Sequence, residues 1–225
     1  MTTIREIIGG ISVEQKKEIL ELVSNNFEDV SAFVIQRNSP FYEYVRVLEI
    51  TRTEMYLDKL KTAEPEKTYL IVAEDSGKII GYILFNRDST CFDDASICST
   101  VVSEKYRNLG IFTKMMDLLK VKTKCITLSC FIDKVNFYQK FDFRVDGTFE
   151  TQVAMTYGTY GGKGDFKAAI DTDVVGSSKP CLDEIRKLQK SLGESFQQEY
   201  IKVMLESDKE KSKVKEFVED NSRIN

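Results

Sequence analysis

The sequence predicts an α+β fold (α/β layered) in which helices flank a mixed β-sheet and a helical C-terminal extension follows. Two apolar runs, 69–73 and 79–85, flank the turn-forming segment 75–78 (Asp-Ser-Gly-Lys) and predict a β-hairpin. A strand–helix–strand pattern over 95–132 predicts a crossover connection between strands. A hairpin followed by a crossover indicates a sheet with both antiparallel and parallel pairs.

The remaining elements follow from turn residues and apolar spacing. Ser12, with Gln15 three residues later, is typical of a helix N-cap, and Pro40 separates this helix from a second one at 41–61. The predicted strands are 2–8, 69–73, 79–85, 95–102, 125–132, 143–145 and 151–156, and the later helices are 110–120 and 135–141.

The composition argues against several classes of function. The 225 residues carry 32 Lys and Arg against 36 Asp and Glu, which argues against a general nucleic-acid binder because such proteins usually present a basic face. The chain has no histidine, which excludes Ser-His-Asp and Cys-His nucleophile pairs and imidazole zinc sites, so we expect no metal. The five cysteines contain no C-x-x-C pair, and no signal peptide or membrane-spanning run is present, which together predict a cytoplasmic protein without membrane contact.

The character of the chain changes after residue 157. A glycine-rich stretch at 158–164 predicts a flexible link, and it is one residue short of a P-loop. Apolar residues then recur at helical spacing over 182–203, which favours packing against the first domain, with a partner or a second copy as the alternative. We therefore expect a domain at 1–157, a linker at 158–181 and a helical extension at 182–225.

The most informative segment joins a strand to a helix near Gly110. The backbone N–H groups at a helix start are unpaired, and the helix dipole adds partial positive charge there. Gly110 lets a ligand approach the backbone closely, and Arg107 adds charge. By itself this pattern is a weak indication of a pyrophosphate site.

A second motif follows the next strand. Phe137, Tyr138, Lys140 and Phe143 match an F-Y-x-K-x-G-F-like segment, and Arg107-x-x-Gly110 matches a [Gln/Arg]-x-x-Gly-x-[Gly/Ala] signature. Together these motifs resemble the GNAT superfamily of acyl-CoA-dependent N-acyltransferases, over about residues 1–157. The resemblance implies a mostly antiparallel sheet in which a bulge splays the fourth strand from the fifth.

The resemblance also implies a binding site for acetyl-CoA as co-substrate. The backbone of Thr100, Val101 and Val102 would bind the pantetheine arm, and Tyr138 would donate a proton to the coenzyme sulfur. The pyrophosphate would be wrapped by residues Arg107, Asn108, Leu109, Gly110, Ile111 and Phe112.

Three residues depart from the family pattern. Phe112 stands where the family prefers Gly or Ala, and it crowds the diphosphate unless its ring turns into the core. Asp142 replaces a glycine but tolerates left-handed backbone better than most residues. The family's asparagine near Ile132 and Asp133 has no counterpart.

A charged acceptor amine must lose a proton, which a base, an acid-lined cavity or water can assist. The acidic candidates are Asp94, with Asp93 beside it, and Glu54, with Glu49 on the same predicted helix. Cys98 is a candidate nucleophile, although nothing adjacent in sequence lowers its pKa and a core thiol is the favoured interpretation.

These observations lead to an N-acetyltransferase that moves the acetyl group of acetyl-CoA to an amine on a small molecule or protein. The alternative hypothesis is a degenerate GNAT-like module that acts as an interaction protein through its C-terminal helices. A third, weaker hypothesis is an acyltransferase on the same scaffold that uses a longer acyl-CoA or an aminoacyl donor. The C-terminal helices also suggest a homodimer or partner contact.

Overall fold

The computed structural model describes residues 2–222, which form one seven-stranded sheet and seven α-helices. The strands are β1 (Thr3–Glu6), β2 (Thr68–Asp75), β3 (Lys78–Arg87), β4 (Asp94–Val102), β5 (Cys125–Cys130), β6 (Arg144–Phe149) and β7 (Gln152–Gly158). The helices are α1 (Val13–Val30), α2 (Tyr42–Asp58), α3 (Ile111–Lys122), α4 (Val135–Gln139), α5 (Thr172–Gly176), α6 (Lys179–Leu192) and α7 (Phe196–Ser222).

The sheet order is β1-β2-β3-β4-β5-β7-β6, and every neighbouring pair is antiparallel except β4 and β5. The predicted fold class, a mixed and mostly antiparallel sheet flanked by helices, is confirmed. The connection from β4 through α3 to β5 is the crossover that a parallel pair requires.

Local sequence signals explain where the first elements begin and turn. The Ser12 hydroxyl accepts from the Gln15 backbone N–H at 3.2 Å, and the Gln15 side chain accepts from the Ser12 backbone N–H at 3.0 Å, so the predicted cap is confirmed. The hairpin turns through Ser76 and Gly77, both at positive φ, and pairs Asp75 with Lys78.

The two faces of the sheet bury separate apolar clusters. The cluster under α1 and α2 includes Ile19, Tyr56 and Leu84. The cluster under α3 includes Met115 and also contains Val214 of α7, which is 1% exposed. Because α7 contributes to this core, the C-terminal extension is part of the folded unit that surrounds the sheet.

The C-terminal region differs from the sequence prediction in two places. The predicted linker 158–181 contains α5 and the start of α6, and α6 packs against α2. The apolar spacing over 182–203 predicts one continuous helical stripe, but the chain turns between α6 and α7 at Gly193, whose φ is +53°.

The glycine-rich stretch at 158–164, predicted as a flexible link, makes specific contacts with the sheet. Asp94 accepts from the backbone N–H groups of Gly161 and Gly162 at 2.9 and 2.7 Å. Asp88 accepts from the backbone N–H of Asp165 at 2.8 Å, and a Cβ on Gly162 would lie 2.7 Å from the Asp88 carboxyl carbon. These glycines let two buried carboxylates fix the start of the extension.

Candidate active site

The central strands separate halfway along their length. β4 and β5 pair only over Asp94–Ser96 and Cys125–Thr127, and the rest of β4 has no partner on that side among residues 2–222. On its other side, β4 carries an irregularity: Phe85 pairs with Ile97 and Leu84 with Ser99, so Cys98 is the extra residue. The expected bulge and splayed cleft are both present.

The residues predicted to hold the pantetheine arm line the open part of this cleft. Thr100, Val101 and Val102 pair with β3 through Ile83, Tyr82 and Gly81. Because a strand directs alternate backbone groups to either side, the β5-facing N–H groups of this segment remain available to an extended ligand, whereas the Val102 carbonyl accepts from Arg107 Nε.

The loop that follows β4 forms an anion cradle at the start of α3. Gly110 is the N-cap at φ +73°, no side chain caps the helix, and Asn108 is also left-handed at φ +63°. Residues 107–110 are exposed, and a Cβ at Gly110 would have no neighbour within 4 Å. The first N–H groups of α3, from Ile111 and Phe112 onward, therefore face open space with the positive end of the helix dipole.

The side chain of Arg107 binds α1 rather than extending over the cradle. Its Nε donates to the Val102 carbonyl at 3.2 Å, and its guanidinium also donates to Asn26 at 2.6 Å and lies 3.3 Å from Asp29. The opposite oxygen of Asp29 lies 3.7 Å from Lys134, which precedes α4. Arg107 and Lys134 thus mark the two edges of the cleft, with Asp29 between them.

The ring of Phe112 turns away from the cradle into an aromatic cluster. Its centroid lies 5.2 Å from that of Phe137, 5.9 Å from Tyr138 and 5.1 Å from Phe141. The departure from Gly or Ala at this position therefore leaves the backbone cradle accessible. Asp142, a second departure, adopts φ +62°, as its expected left-handed turn requires.

Tyr138 lies within the same cluster, with Phe143 on its other side at 5.9 Å. Burial raises the pKa of Tyr138, with a smaller contribution from Cys130. The phenol therefore stays protonated at neutral and moderately alkaline pH, so it can donate a hydrogen bond or a proton.

The two predicted acidic catalytic residues lie away from the cleft. Asp94 is 1% exposed, sits at the opposite end of β4 from Thr100–Val102, and holds the glycine-rich stretch. Glu54 forms an ion pair with Lys16 of α1 at 3.0 Å. Since neither lines the cleft or the cavity described next, both have structural contacts that account for them.

A large cavity opens on the α2 side of the sheet, where β4 and β5 diverge. Its volume is about 1100 Å³. Its floor is formed by small polar residues from β3, β4 and β5, which are Asn86, Ser96, Cys98, Thr127 and Ser129. Its walls come from α2 and the 31–41 connection, and its roof comes from the extension, through Phe166, Ile185, Tyr200, Val203 and Met204.

Two side chains of α2, together with Lys59 directly after it, attach the extension above this cavity. Arg52 donates to the Thr172 hydroxyl at 3.1 Å, and Lys59 donates to the Ala168 carbonyl at 3.0 Å. The hydroxyl of Tyr56 accepts from the Ile170 backbone N–H at 3.2 Å. The apolar stripe predicted to face the first domain thus forms the roof of the cavity as well as part of the core.

Cys98 is half-buried on the cavity floor, where it packs against the apolar cluster under α1 and α2. Burial raises its pKa to about 12, although a hydrogen bond from Tyr56 opposes that effect. Because the thiolate is the nucleophilic form, Cys98 remains unreactive near neutral pH. The structure thus favours the interpretation of Cys98 as a core thiol.

Sequence reasoning did not single out Arg52 or Asn86, although both line the cavity. Asn86 gave no signal, because it directly follows the apolar run 79–85 and begins the polar stretch 86–89, as a residue at the end of a strand would. Arg52 gave none, because an arginine on a helix is ordinarily exposed.

The fold is of the acyltransferase type. Its strands β4 and β5 separate to form a cleft, an anion cradle lies at the start of α3, and a separate cavity opens on the α2 side of the sheet. Residues 32–143 match the model of the acetyltransferase (GNAT) family. The chain belongs to the GNAT superfamily, as its motifs predicted.

Solved structures share this fold. A protein from Pyrococcus horikoshii OT3 aligns with a TM-score of 0.53 and 19% identity, covering 71% of this chain and 99% of that one. The PaiA N-acetyltransferase of Thermoplasma acidophilum, solved in complex with coenzyme A, aligns with a TM-score of 0.53 and 15% identity over the same shares. No match was found among curated proteins.

Each of these two alignments leaves about three tenths of this chain uncovered. Within residues 2–222, no helix is long and apolar enough to cross a membrane, and no group of three His, Cys, Asp or Glu side chains could hold a metal ion.

Proposed function

We propose that the protein is an N-acetyltransferase that transfers the acetyl group of acetyl-CoA to an amine bound in the large cavity. The observation that carries this proposal is the meeting of two sites at one point. The cradle and the open edge of β4 lie on one side of the point where β4 and β5 separate, and the polar floor of the cavity lies on the other side.

The groups along the cleft between β4 and β5 match the parts of acyl-CoA in the order in which those parts follow one another in the molecule. The open backbone of Thr100–Val102 suits the amide groups of pantetheine, because an extended chain can pair with an unpaired strand edge. The backbone N–H groups of the exposed loop at 108–110 and of the start of α3 suit the diphosphate, and Arg107 and Lys134 supply positive charge at the edges of the cleft. Acetyl-CoA is accordingly our proposed donor.

The proposed reaction is direct attack. The lone pair of the acceptor amine forms a bond to the thioester carbonyl carbon, and a backbone N–H of β4 near Val102 stabilises the oxyanion that develops. The C–S bond then breaks, and the sulfur takes a proton from the Tyr138 hydroxyl. Water in the cavity takes the proton that the amine loses and passes a proton to the phenolate, which restores the phenol.

Neither of the two predicted acidic residues is assigned as a general base. Asp94 and Glu54 are engaged with the glycine-rich stretch and with Lys16, so we do not give either one the base role. A thiol leaving group with a pKa near ~8.5 needs only modest assistance, so Tyr138 acts as a helper rather than as the main source of rate.

Phe112 and the missing asparagine near Ile132 and Asp133 suggested the interaction-module hypothesis, and the position of the Phe112 ring removes the first of these two reasons. The ring of Phe112 lies in the aromatic cluster, outside the cradle, and the C-terminal helices have a position over the cavity. The extension is therefore part of the proposed acceptor site.

Thiol release from acetyl-CoA in the presence of an amine panel tests this function. We expect amine-dependent release by the wild-type chain, with the acetylated amine identified by mass spectrometry. Amine-independent release alone, or none with any amine, would contradict the proposal.

A further inference from the structure

We propose that the acceptor is a monoamine with one large apolar body and no second charged group. Its amino group lies at the cavity floor, and its apolar body extends toward the roof. This inference rests on the proposed function and specifies the substrate class. It follows from the volume of the cavity, from the apolar side chains above the floor, and from the way in which the charges around the cavity are paired.

The floor and the volume set the size of the acceptor. The polar floor lies where β4 and β5 separate, which is where the proposed acetyl donor would present its thioester, so the reacting amine belongs there. The cavity volume of about 1100 Å³ exceeds the ~300–1,000 Å³ that is usual for small-molecule sites. A small amine at the floor would leave most of this volume filled with water, whereas a large body attached to the amine would fill it.

Apolar side chains from three parts of the chain surround the space above the floor. The 31–41 connection, α2 and the extension contribute Phe33, Phe41, Tyr44, Val45, Phe166, Ile170, Ile185, Tyr200, Val203 and Met204. The ring centroids of Phe41 and Tyr200 lie 6.1 Å apart, so the wall and the roof meet in an aromatic contact. The space that the body of the acceptor would occupy is therefore enclosed mainly by carbon.

Part of this apolar lining remains exposed to water. Phe149 is 55% exposed, Tyr200 is 43% exposed and Met204 is 42% exposed, although all three line the cavity. Because removal of apolar surface from water is favourable in proportion to the area covered, an apolar ligand body against these side chains stabilises the complex.

The charged side chains around the cavity already have partners or lie in water. Among residues 2–222, those that line it are Arg52, Glu150, Asp173 and Lys211. Arg52 lies 3.1 Å from Glu49 of the same helix, and Lys211 lies 2.7 Å from Glu150. Asp173 is exposed, so water and salt screen its attraction for a ligand cation. The cavity thus offers little compensation for a further charge of either sign.

A second charge on the acceptor is consequently unfavourable. An ammonium or carboxylate group that enters apolar surroundings loses its water without gaining a partner, whereas a methylene group in the same place gains free energy on burial. The cavity therefore selects against diamines and amino acids, and it favours amines whose remaining surface is apolar.

The test compares four primary aliphatic amines with acetyl-CoA as donor. They are octylamine, the diamine with an ammonium group in place of its terminal methyl group, the amino acid with a carboxylate in that place, and propylamine. The value of kcat/KM is expressed per neutral amino group, which removes differences in pKa and in the number of amines. We expect octylamine to exceed propylamine by about a hundredfold, because each buried methylene contributes about fourfold. It should exceed each charged analogue by about tenfold or more.

Two adjacent residues of α7 locate this selection. Met204 and Leu205 are both exposed, at 42% and 56%, but only Met204 belongs to the lining of the cavity. Met204→Glu places a carboxylate at the roof, and we expect it to raise the kcat/KM ratio of the diamine to octylamine about tenfold. Leu205→Glu adds the same charge one residue away and is the matched control, which should leave the ratio within about twofold.

The opposite charge gives the opposite change. Met204→Lys is expected to raise the ratio of the amino acid to octylamine about tenfold, and Leu205→Lys is again the control. Because both side chains are exposed, these substitutions do not disturb the core, and a Kd for acetyl-CoA within about twofold of the wild-type value verifies that each variant is folded.

The outcomes separate this inference from the proposed function. Equal kcat/KM for octylamine and either charged analogue, equal values for octylamine and propylamine, or equal shifts in the Met204 and Leu205 variants overturn the inference and leave the proposed function standing. Turnover of other amines with none of these four has the same meaning. Absence of amine-dependent thiol release with every amine tested overturns both.

Discussion

The carboxylate of Asp29, near the end of α1, lies 3.3 Å from the guanidinium of Arg107 in the loop that precedes α3. Its other oxygen lies 3.7 Å from Lys134. One acidic side chain thereby contacts cations from both edges of the cleft between β4 and β5, where the proposed diphosphate would bind.

Asp29→Asn is expected to tighten acetyl-CoA binding. The change removes a negative charge that competes with the diphosphate for Arg107 and Lys134, and we expect the Kd to fall about two- to fivefold at low salt. Calorimetric titration at two ionic strengths checks this, because screening should reduce the gain at high salt. Glu21→Gln on the same helix, which pairs with Lys17, is the control. Weaker binding by Asp29→Asn would show that the ion pairs serve mainly to hold the loop.

Tyr138→Phe is expected to lower kcat by about tenfold to a hundredfold without changing the Kd of acetyl-CoA. Because burial raises the pKa of Tyr138, the hydroxyl stays protonated in the wild type, and the loss should be similar across the pH range from neutral to moderately alkaline. Tyr157→Phe, which removes a hydroxyl from a ring that packs on Phe143, is the control. Full turnover by Tyr138→Phe would remove the proposed proton donor.

Cys98→Ser is expected to retain activity within a few-fold of the wild type. The pKa of this thiol is raised to about 12, so almost none of it is thiolate at neutral pH, and direct attack needs no acetyl-enzyme. Mass spectrometry of the wild type incubated with acetyl-CoA alone should show no acetylated Cys98. Stoichiometric acetylation, together with loss of turnover in the serine variant, would instead indicate a two-step route.

Asp88→Asn is expected to destabilise the fold by about 1–3 kcal/mol at neutral pH, because Asp88 accepts from Thr90, Cys91 and Asp165. Burial by itself raises the pKa of Asp88, but these hydrogen bonds outweigh it and the pKa is lowered overall. A lowered folded-state pKa gives stability above the unfolded value of ~3.9 that is lost as the pH falls through the folded value.

The difference between Asp88→Asn and the wild type should therefore shrink in acid. Urea unfolding at neutral pH and below the unfolded pKa of aspartate measures it, with the exposed Asp117→Asn as the control. A difference that stays constant with pH would mean that Asp88 acts through packing rather than through its charge.

The sequence was most informative where local chemistry decides the structure. The hairpin follows from Gly77 and its turn neighbours, the first helix from the Ser12 cap, and the cradle from Gly110 at a strand-to-helix junction. Each of these depends on a few adjacent residues, so a single sequence carries the signal.

Features that depend on distant residues could not be predicted in the same way. Asp94 looks like a candidate base in sequence, but its partners Gly161 and Gly162 are almost seventy residues away. The buried pair of Arg52 and Glu49 becomes notable only when the extension covers it, because Thr172 completes the contact. The orphaned Oδ1 of Asn86 likewise depends on which neighbours the fold supplies.

The central claim is that acyl-CoA binds at the start of α3 and along the open edge of β4. Calorimetric titration with acetyl-CoA tests it most directly, using the wild type, Arg107→Ala and Gly110→Glu. We expect micromolar 1:1 binding by the wild type, weaker binding by Arg107→Ala, and loss of binding by Gly110→Glu, which combines a strained φ with negative charge at the cradle. No binding by the wild type up to millimolar acetyl-CoA, or equal binding by all three chains, would contradict the assignment.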